Sequence, residues 1–116
     1  MILHLVEREV WASVDDEHRP ASLDDEGFVH CSPDDAVTLA VANAFYADVL
    51  DRLVVLEVDE GRLAADVVWE DAAPAPPPGV GEDVRFPHVL GPIDRTAVVA
   101  VRELELVDGR AVAVVR

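Results

Sequence analysis

Four of the chain's eight prolines crowd into the run DAAPAPPPGVGED at residues 71–83. Proline lacks the backbone N–H that helix interiors and sheet ladders require, and its ring clashes with the preceding helical turn. The run therefore belongs to no regular element and is expected to be an exposed excursion or flap. The core must then be assembled from residues 1–70 and 84–116. A chain of 116 residues that is 51% hydrophobic can bury one substantial core but not two. A single domain over residues 1–116 is the expectation.

On either side of the flap, strand and helix patterns alternate. Residues 1–6 (MILHLV) read as an opening strand. The spacing of Val10, Trp11 and Val14 predicts an amphipathic helix from Glu7 to about His18. Arg19-Pro20 ends it, because the residue before proline is pushed out of the helical region. Phe28 to Cys31 reads as a short strand. The series Ser32, Pro33, Asp34, Asp35 predicts a helix start with Ser32 as the cap, Pro33 in the first helical position and Asp35 in the capping-box position. Val37, Ala40, Val41, Ala44 and Phe45 form that helix's expected buried face. Residues 53–58 (LVVLEV) and 66–70 (DVVWE) read as strands joined through a turn at 59–63. The extended segment RFPHVLGP (85–92) follows the flap. A turn at Ile93-Asp94-Arg95, a long strand from about Ala97 to Val107, an Asp108-Gly109 hairpin turn and a last strand through Val115 complete the chain. The expected class is α+β: a small, mostly antiparallel sheet with two helices in the N-terminal half.

The 24 acidic residues against 9 basic ones leave a formal charge of −15. Such a field repels phosphate backbones and anionic membrane surfaces, so neither nucleic acid nor a membrane is an expected partner; a small-molecule ligand is. No apolar run approaches the ~20 residues that span a bilayer, and MILHLVEREV lacks the basic start of a signal peptide. A cytoplasmic location is expected. The lone Cys31 excludes an internal disulfide and a cysteine-based zinc site.

The reactive-looking stretch is EGFVHCSPDD, residues 26–35. Side chains alternate across a strand, so Phe28, His30 and Ser32 share one face while Val29 and Cys31 share the other. His30 and Cys31 therefore form no dyad, and Cys31 reads as a small buried hydrophobe. His18, in the polar, helix-terminal stretch DDEHRP, reads as solvated or as complementing the helix dipole. His4, His30 and His88 each sit in an apolar, strand-like segment, where an unpaired imidazole is costly to bury. Each alone reads as a hydrogen-bonded core histidine; together they suggest a shared pocket in which imidazoles bind a ligand or move protons. Their spacing matches no compact metal motif. Glu70, at the end of an apolar strand beside the flap, lies where a cleft mouth would be, whereas Glu57 reads as the solvent-facing member of an alternating strand. Arg19 and Ser22 are candidates for holding an anion, with a helix stop and a capping serine as the plainer reading.

The segments LHLV, RPASL (19–23), EGFVHCS (26–32), LVVLEVD (53–59), VVWE (67–70) and FPHVLGPIDRTAVVAVREL (86–104) resemble, in order and spacing, the bacterial domain of unknown function 952 family. That family in turn resembles the ADP-ribosyltransferase-like fold, a split antiparallel sheet that binds NAD in a cleft. The resemblance implies that His4 matches a first-strand histidine contacting the nicotinamide ribose, and that His30 and Ser32 lie where the second core strand meets its helix. His88 stands where a transferase glutamate is expected. Protein ADP-ribosylation would then lack the carboxylate that stabilises its oxocarbenium-like transition state.

Two functional classes follow. One is an enzyme acting on NAD, ADP-ribose or a related phosphoribosyl compound, with His30 and His88 as catalytic acid/base groups and His4, Ser32, Arg19, Ser22 and Glu70 binding substrate. The other is a non-enzymatic module that keeps the pocket for recognising a small ligand or protein. A metal-dependent hydrolase with Glu70 as base is a third reading.

Overall fold

The computed structural model of the chain describes residues 1–72 and 75–116. Its strands are β1 (Ile2–Glu7), β2 (Glu17–His18), β3 (Val29–His30), β4 (Leu53–Val58), β5 (Val67–Asp71), β6 (Arg85–Val89), β7 (Ile93–Asp94), β8 (Val98–Val107) and β9 (Arg110–Val115). The helices are α1 (Arg8–Ala12), α2 (Ala21–Glu26) and α3 (Asp35–Phe45), supplemented by 3-10 turns at Ala47–Arg52, Glu60–Arg62 and Arg95–Ala97.

The strands form a four-stranded sheet in the order β1-β4-β8-β9, a three-stranded sheet in the order β3-β6-β5 and a two-stranded ladder of β2 with β7. Every one of these ladders is antiparallel. The expected α+β class with a mostly antiparallel sheet holds. Leu3 and Ser32 exchange backbone hydrogen bonds of 2.9 and 2.7 Å and so stitch β1 to the chain just beyond β3. Asp108 and Gly109 both take positive φ, 50° and 77°, which the tight hairpin between β8 and β9 requires.

β1 and β4 are buried on both faces, and this explains why LHLV and LVVLEV read as nearly unbroken apolar runs. Ile2, Val6, Val54, Leu56 and Val58 face one cluster, which Val29, Cys31, Val89 and Ile93 complete from the other sheets. Leu3, Leu5, Leu53 and Val55 face a second cluster with Ala42, Leu50, Ala111 and Val114.

Three local expectations are corrected. The helix predicted over 7–18 is only α1: Ser13 turns its hydroxyl onto the Val10 carbonyl at 2.8 Å, and Glu17–His18 pairs with Ile93–Asp94 instead. A serine and two aspartates compete with the helix for backbone hydrogen bonds, and a long-range ladder wins the residues beyond. Three helices, not two, therefore occupy the N-terminal half. Ser32 does not cap α3, because both of its backbone groups are held by Leu3; the chain stays extended, and Asp34 caps by accepting from Val37 N–H at 2.9 Å. The buried face of α3 is Val37, Thr38 and Ala42, rotated from the predicted one, and it leaves Phe45 exposed.

Of the proline-rich run, Ala73 and Pro74 lie outside the described residues. Asp71 ends β5, and residues 75–83 hold no helix or strand, as expected. Pro77, however, is buried: this part of the run folds back onto the domain.

Helix α3 is tied to the sheet at both ends. Arg102 forks onto both carboxylate oxygens of Asp35 at 2.9 Å. At the other end, Asn43 donates to the Ala111 carbonyl and accepts from its N–H, both at 2.9 Å, as a neighbouring strand's peptide would. The amide thus occupies part of the free edge of β9. Asn43→Ala strands both backbone groups and is expected to cost about 1–3 kcal/mol, read as a lowered urea midpoint.

Candidate functional site

β3, β5 and β6 bring the most reactive side chains to one sheet face. His30 lies directly opposite His88, and Val68 lies opposite His88 on the other side, with Glu70 paired to Phe86 one step along the same face. The His30 and His88 ring centroids are 5.6 Å apart and nearly perpendicular. Phe28 stacks on His88 at 4.0 Å and meets His30 edge-on at 4.7 Å. Phe28 and His30 thus share a face, as strand alternation predicts.

Each imidazole has its own carboxylate. His30 Nε2 lies 2.8 Å from Glu26 Oε2, and His88 Nδ1 lies 2.8 Å from Glu70 Oε1. An ionised carboxylate can only accept, so Nε2–H of His30 and Nδ1–H of His88 donate; in the neutral rings His30 Nδ1 and His88 Nε2 are then the basic nitrogens. Gly27, at φ 87°, caps α2 and reverses the chain between Glu26 and Phe28, which lets a carboxylate only four residues away turn back to His30.

His30, His88, Phe28 and Glu26 border a cleft of about 430 Å³, together with Ser32, Tyr46 and Phe86, and with Ala75 and Pro77 of the proline-rich run; Glu70 reaches it only through its hydrogen bond to His88. The cleft is mainly apolar with a few polar groups directed into it, the usual make-up of a small-molecule site. Ser32 is only 5% exposed. Cys31 also borders the cleft, but burial first and the Glu60 charge second push its thiol well above the ordinary range, so it is no nucleophile.

His4 and His18 form a second, buried pair. His18 is 4% exposed, which corrects the expectation of a solvated side chain: its pairing in β2 draws it inward against His4. The Nε2 atoms of the two rings are 3.1 Å apart, and His4 Nδ1 lies 2.7 Å from the His30 carbonyl oxygen. Burial pulls the His4 pKa from 6.5 down to about 4, overriding the opposite effect of the His30 carbonyl. Burial lowers that of His18 as well. Because the carbonyl only accepts, His4 carries its proton on Nδ1 and its Nε2 accepts from His18 Nε2–H.

His4 therefore holds the backbone of His30 from behind and does not enter the cleft beside the His30 and His88 side chains. Arg19 and Ser22 lie elsewhere, along a second cleft of about 980 Å³ that His18 also lines. Arg19 is exposed and pairs loosely with Asp24 at 3.7 Å. Glu57 is not free in solvent but lies 3.8 Å from Arg102. Glu26 and Tyr46 escaped the sequence reading. Glu26 had the signal of lying one helical turn before His30, but nothing local marks Tyr46, which is brought in by the end of α3. Among the described residues, no group of three or more His, Cys, Asp or Glu side chains is arranged to hold a metal ion. No helix of the described residues is long and apolar enough to cross a membrane.

The crystal structure of protein CC0527 from Caulobacter crescentus matches this architecture with a TM-score of 0.64 at 22% identity, covering 95% of this chain and 90% of that one. The structure of a double mutant of the same protein matches equally, at 21% identity. At such identity the likeness is one of fold. No curated protein matches the chain. The family model described as Protein of unknown function (DUF952) spans residues 5–101, which include both members of the His30–His88 pair, their carboxylates and His18. The chain belongs to the DUF952 family.

Proposed function

We propose that the first cleft binds a small organic molecule by a planar, uncharged or cationic group, with His30 and His88 as its hydrogen-bonding acid/base pair. The observation that carries this reading is the juxtaposition of two imidazoles 5.6 Å apart, each oriented by its own carboxylate, on the wall of a 430 Å³ cleft. A carboxylate behind an imidazole fixes its tautomer and the orientation of its ring, which is what a group that gives and takes protons at a stated atom needs. Phe28, Phe86 and Tyr46 supply aromatic surface for a flat ligand, and Ser32 a hydroxyl at the cleft wall.

The ADP-ribosyltransferase-like resemblance suggests NAD, ADP-ribose or a phosphoribosyl compound. The lining supports the nicotinamide end of that reading better than the pyrophosphate end, since among the described residues the carboxylates at the cleft are Glu26 and Asp71 and no arginine borders it. Nicotinamide and benzamide are thus the first probes, with NAD and ADP-ribose beside them. In an NMR titration, nicotinamide or benzamide is expected to shift the imidazole signals of His30 and His88. His88→Gln should weaken binding at least tenfold, about 1.4 kcal/mol. Imidazole signals unmoved by all four compounds would sink the proposal, and conversion of NAD to free nicotinamide would make the site an enzyme's.

A further inference from the structure

The two clefts are neighbours: Leu5, His30 and Tyr46 border both. Their chemistry differs. The first is lined by aromatic and aliphatic side chains around the imidazole pair, whereas Glu7, Asp15, Asp16 and Glu17 line the second against the single guanidinium of Arg19. That guanidinium already leans toward Asp24. A ring of exposed carboxylates alone is an ordinary solvated surface. The second cleft has more: His18, a buried polar side chain, spends Nε2 on His4 while its Nδ1 makes no hydrogen bond to any described residue. Among the described residues no buried side-chain nitrogen or oxygen is sealed off without a partner, so Nδ1 keeps some accessible surface, and His18 lines the second cleft. In the tautomer set by His4 this nitrogen is an acceptor. A free acceptor on a nearly buried residue that lines a cleft, with carboxylates around it, suits a ligand that donates hydrogen bonds.

We propose that the ligand of the first cleft is elongated, that it passes Tyr46 and His30 into the second cleft, and that its far end is an amine received by His18 and the surrounding carboxylates. This rests on the first-cleft reading above and adds the ligand's second half. An ammonium group has donors for both partner types, N–H to imidazole and charge to carboxylate, and the −15 field of the chain concentrates cations near it. Tyr46, whose phenol is held protonated by burial, is placed where the two halves of such a ligand join.

The test compares benzamide with benzamides bearing aminoalkyl tails of increasing length, and with alkyl tails of equal length that lack the amine. Calorimetry on the full chain is expected to show at least tenfold tighter binding once the amine reaches the second cleft, with the His18 imidazole signals shifting only then. In a protein carrying Asp15→Asn and Glu17→Gln, both exposed side chains whose loss leaves the core intact, that gain should shrink severalfold. If amine tails bind no more tightly than benzamide or the plain alkyl series, the inference is overturned while the first-cleft reading stands. If neither benzamide nor any tailed compound binds, the first-cleft reading fails and takes the inference with it.

Discussion

Acidification from pH 7 to pH 4 is expected to remove about 3 kcal/mol of stability through His4 alone. Its pKa is about 4 in the folded protein against 6.5 when unfolded, and each unit of difference is worth about 1.4 kcal/mol. The folded value is the lower one, so between these values the unfolded chain binds the proton and the native protein does not. The contribution is whole above pH 6.5 and is lost progressively as pH falls toward 4. Of the groups facing His4, the His30 carbonyl opposes this effect of burial, whereas His18 and the His30 imidazole add to it by repelling a charge there, and the pKa of His18 is itself lowered by burial. Acid also relieves repulsion among the chain's 24 carboxylates, so total stability need not fall by the full amount. The measurement is therefore a difference: urea midpoints from pH 7 to pH 4 for the parent and for His4→Gln. The parent should lose markedly more stability over that range. Parallel curves would show that His4 does not titrate as its burial demands.

Leu56→Ala is expected to cost about 2–5 kcal/mol, the range for emptying a leucine site inside a closed core. Leu56 is fully buried in the middle of β4, the strand paired on both sides, and it packs in the cluster that joins the four-stranded sheet to β3 and β6. Most of that cluster is Val and Ile on paired strands, which cannot collapse into the gap without breaking ladders. Leu56→Met fills most of the volume and should cost less than about 1.5 kcal/mol. Equal destabilisation by the two changes would mean that the site's shape, rather than its volume, limits the fold. The alanine protein should also bind first-cleft probes more weakly, because β3 and β6 lean on this cluster.

Much of the chain's architecture is written in short-range pattern. The strands read at 53–58 and from about Ala97 to Val107 and the Asp108-Gly109 turn are decided by neighbours within a few residues, and each lies where the pattern puts it, within a residue. The placement of Phe28 and His30 on one face follows from strand alternation alone, as does the burial of Cys31 with Val29 in the core. The family resemblance was legible for the same reason: it rests on contiguous motifs, and these fall largely within residues 5–101.

The pairings were not legible, because they depend on which distant segments meet and in what register. Nothing near His18 in the sequence announces that Glu17–His18 will leave the helix to pair with Ile93–Asp94, yet that ladder buries the imidazole against His4. The register His30↔His88 and the step from Glu70 to His88 likewise arise only when β3, β6 and β5 assemble, since a slip of one residue would turn every one of these side chains to the opposite face. Local sequence settled which residues could be strand, turn or cap. Tertiary structure decided which histidines are partners, because the burial and desolvation that set their chemistry exist only after the sheets have closed around them.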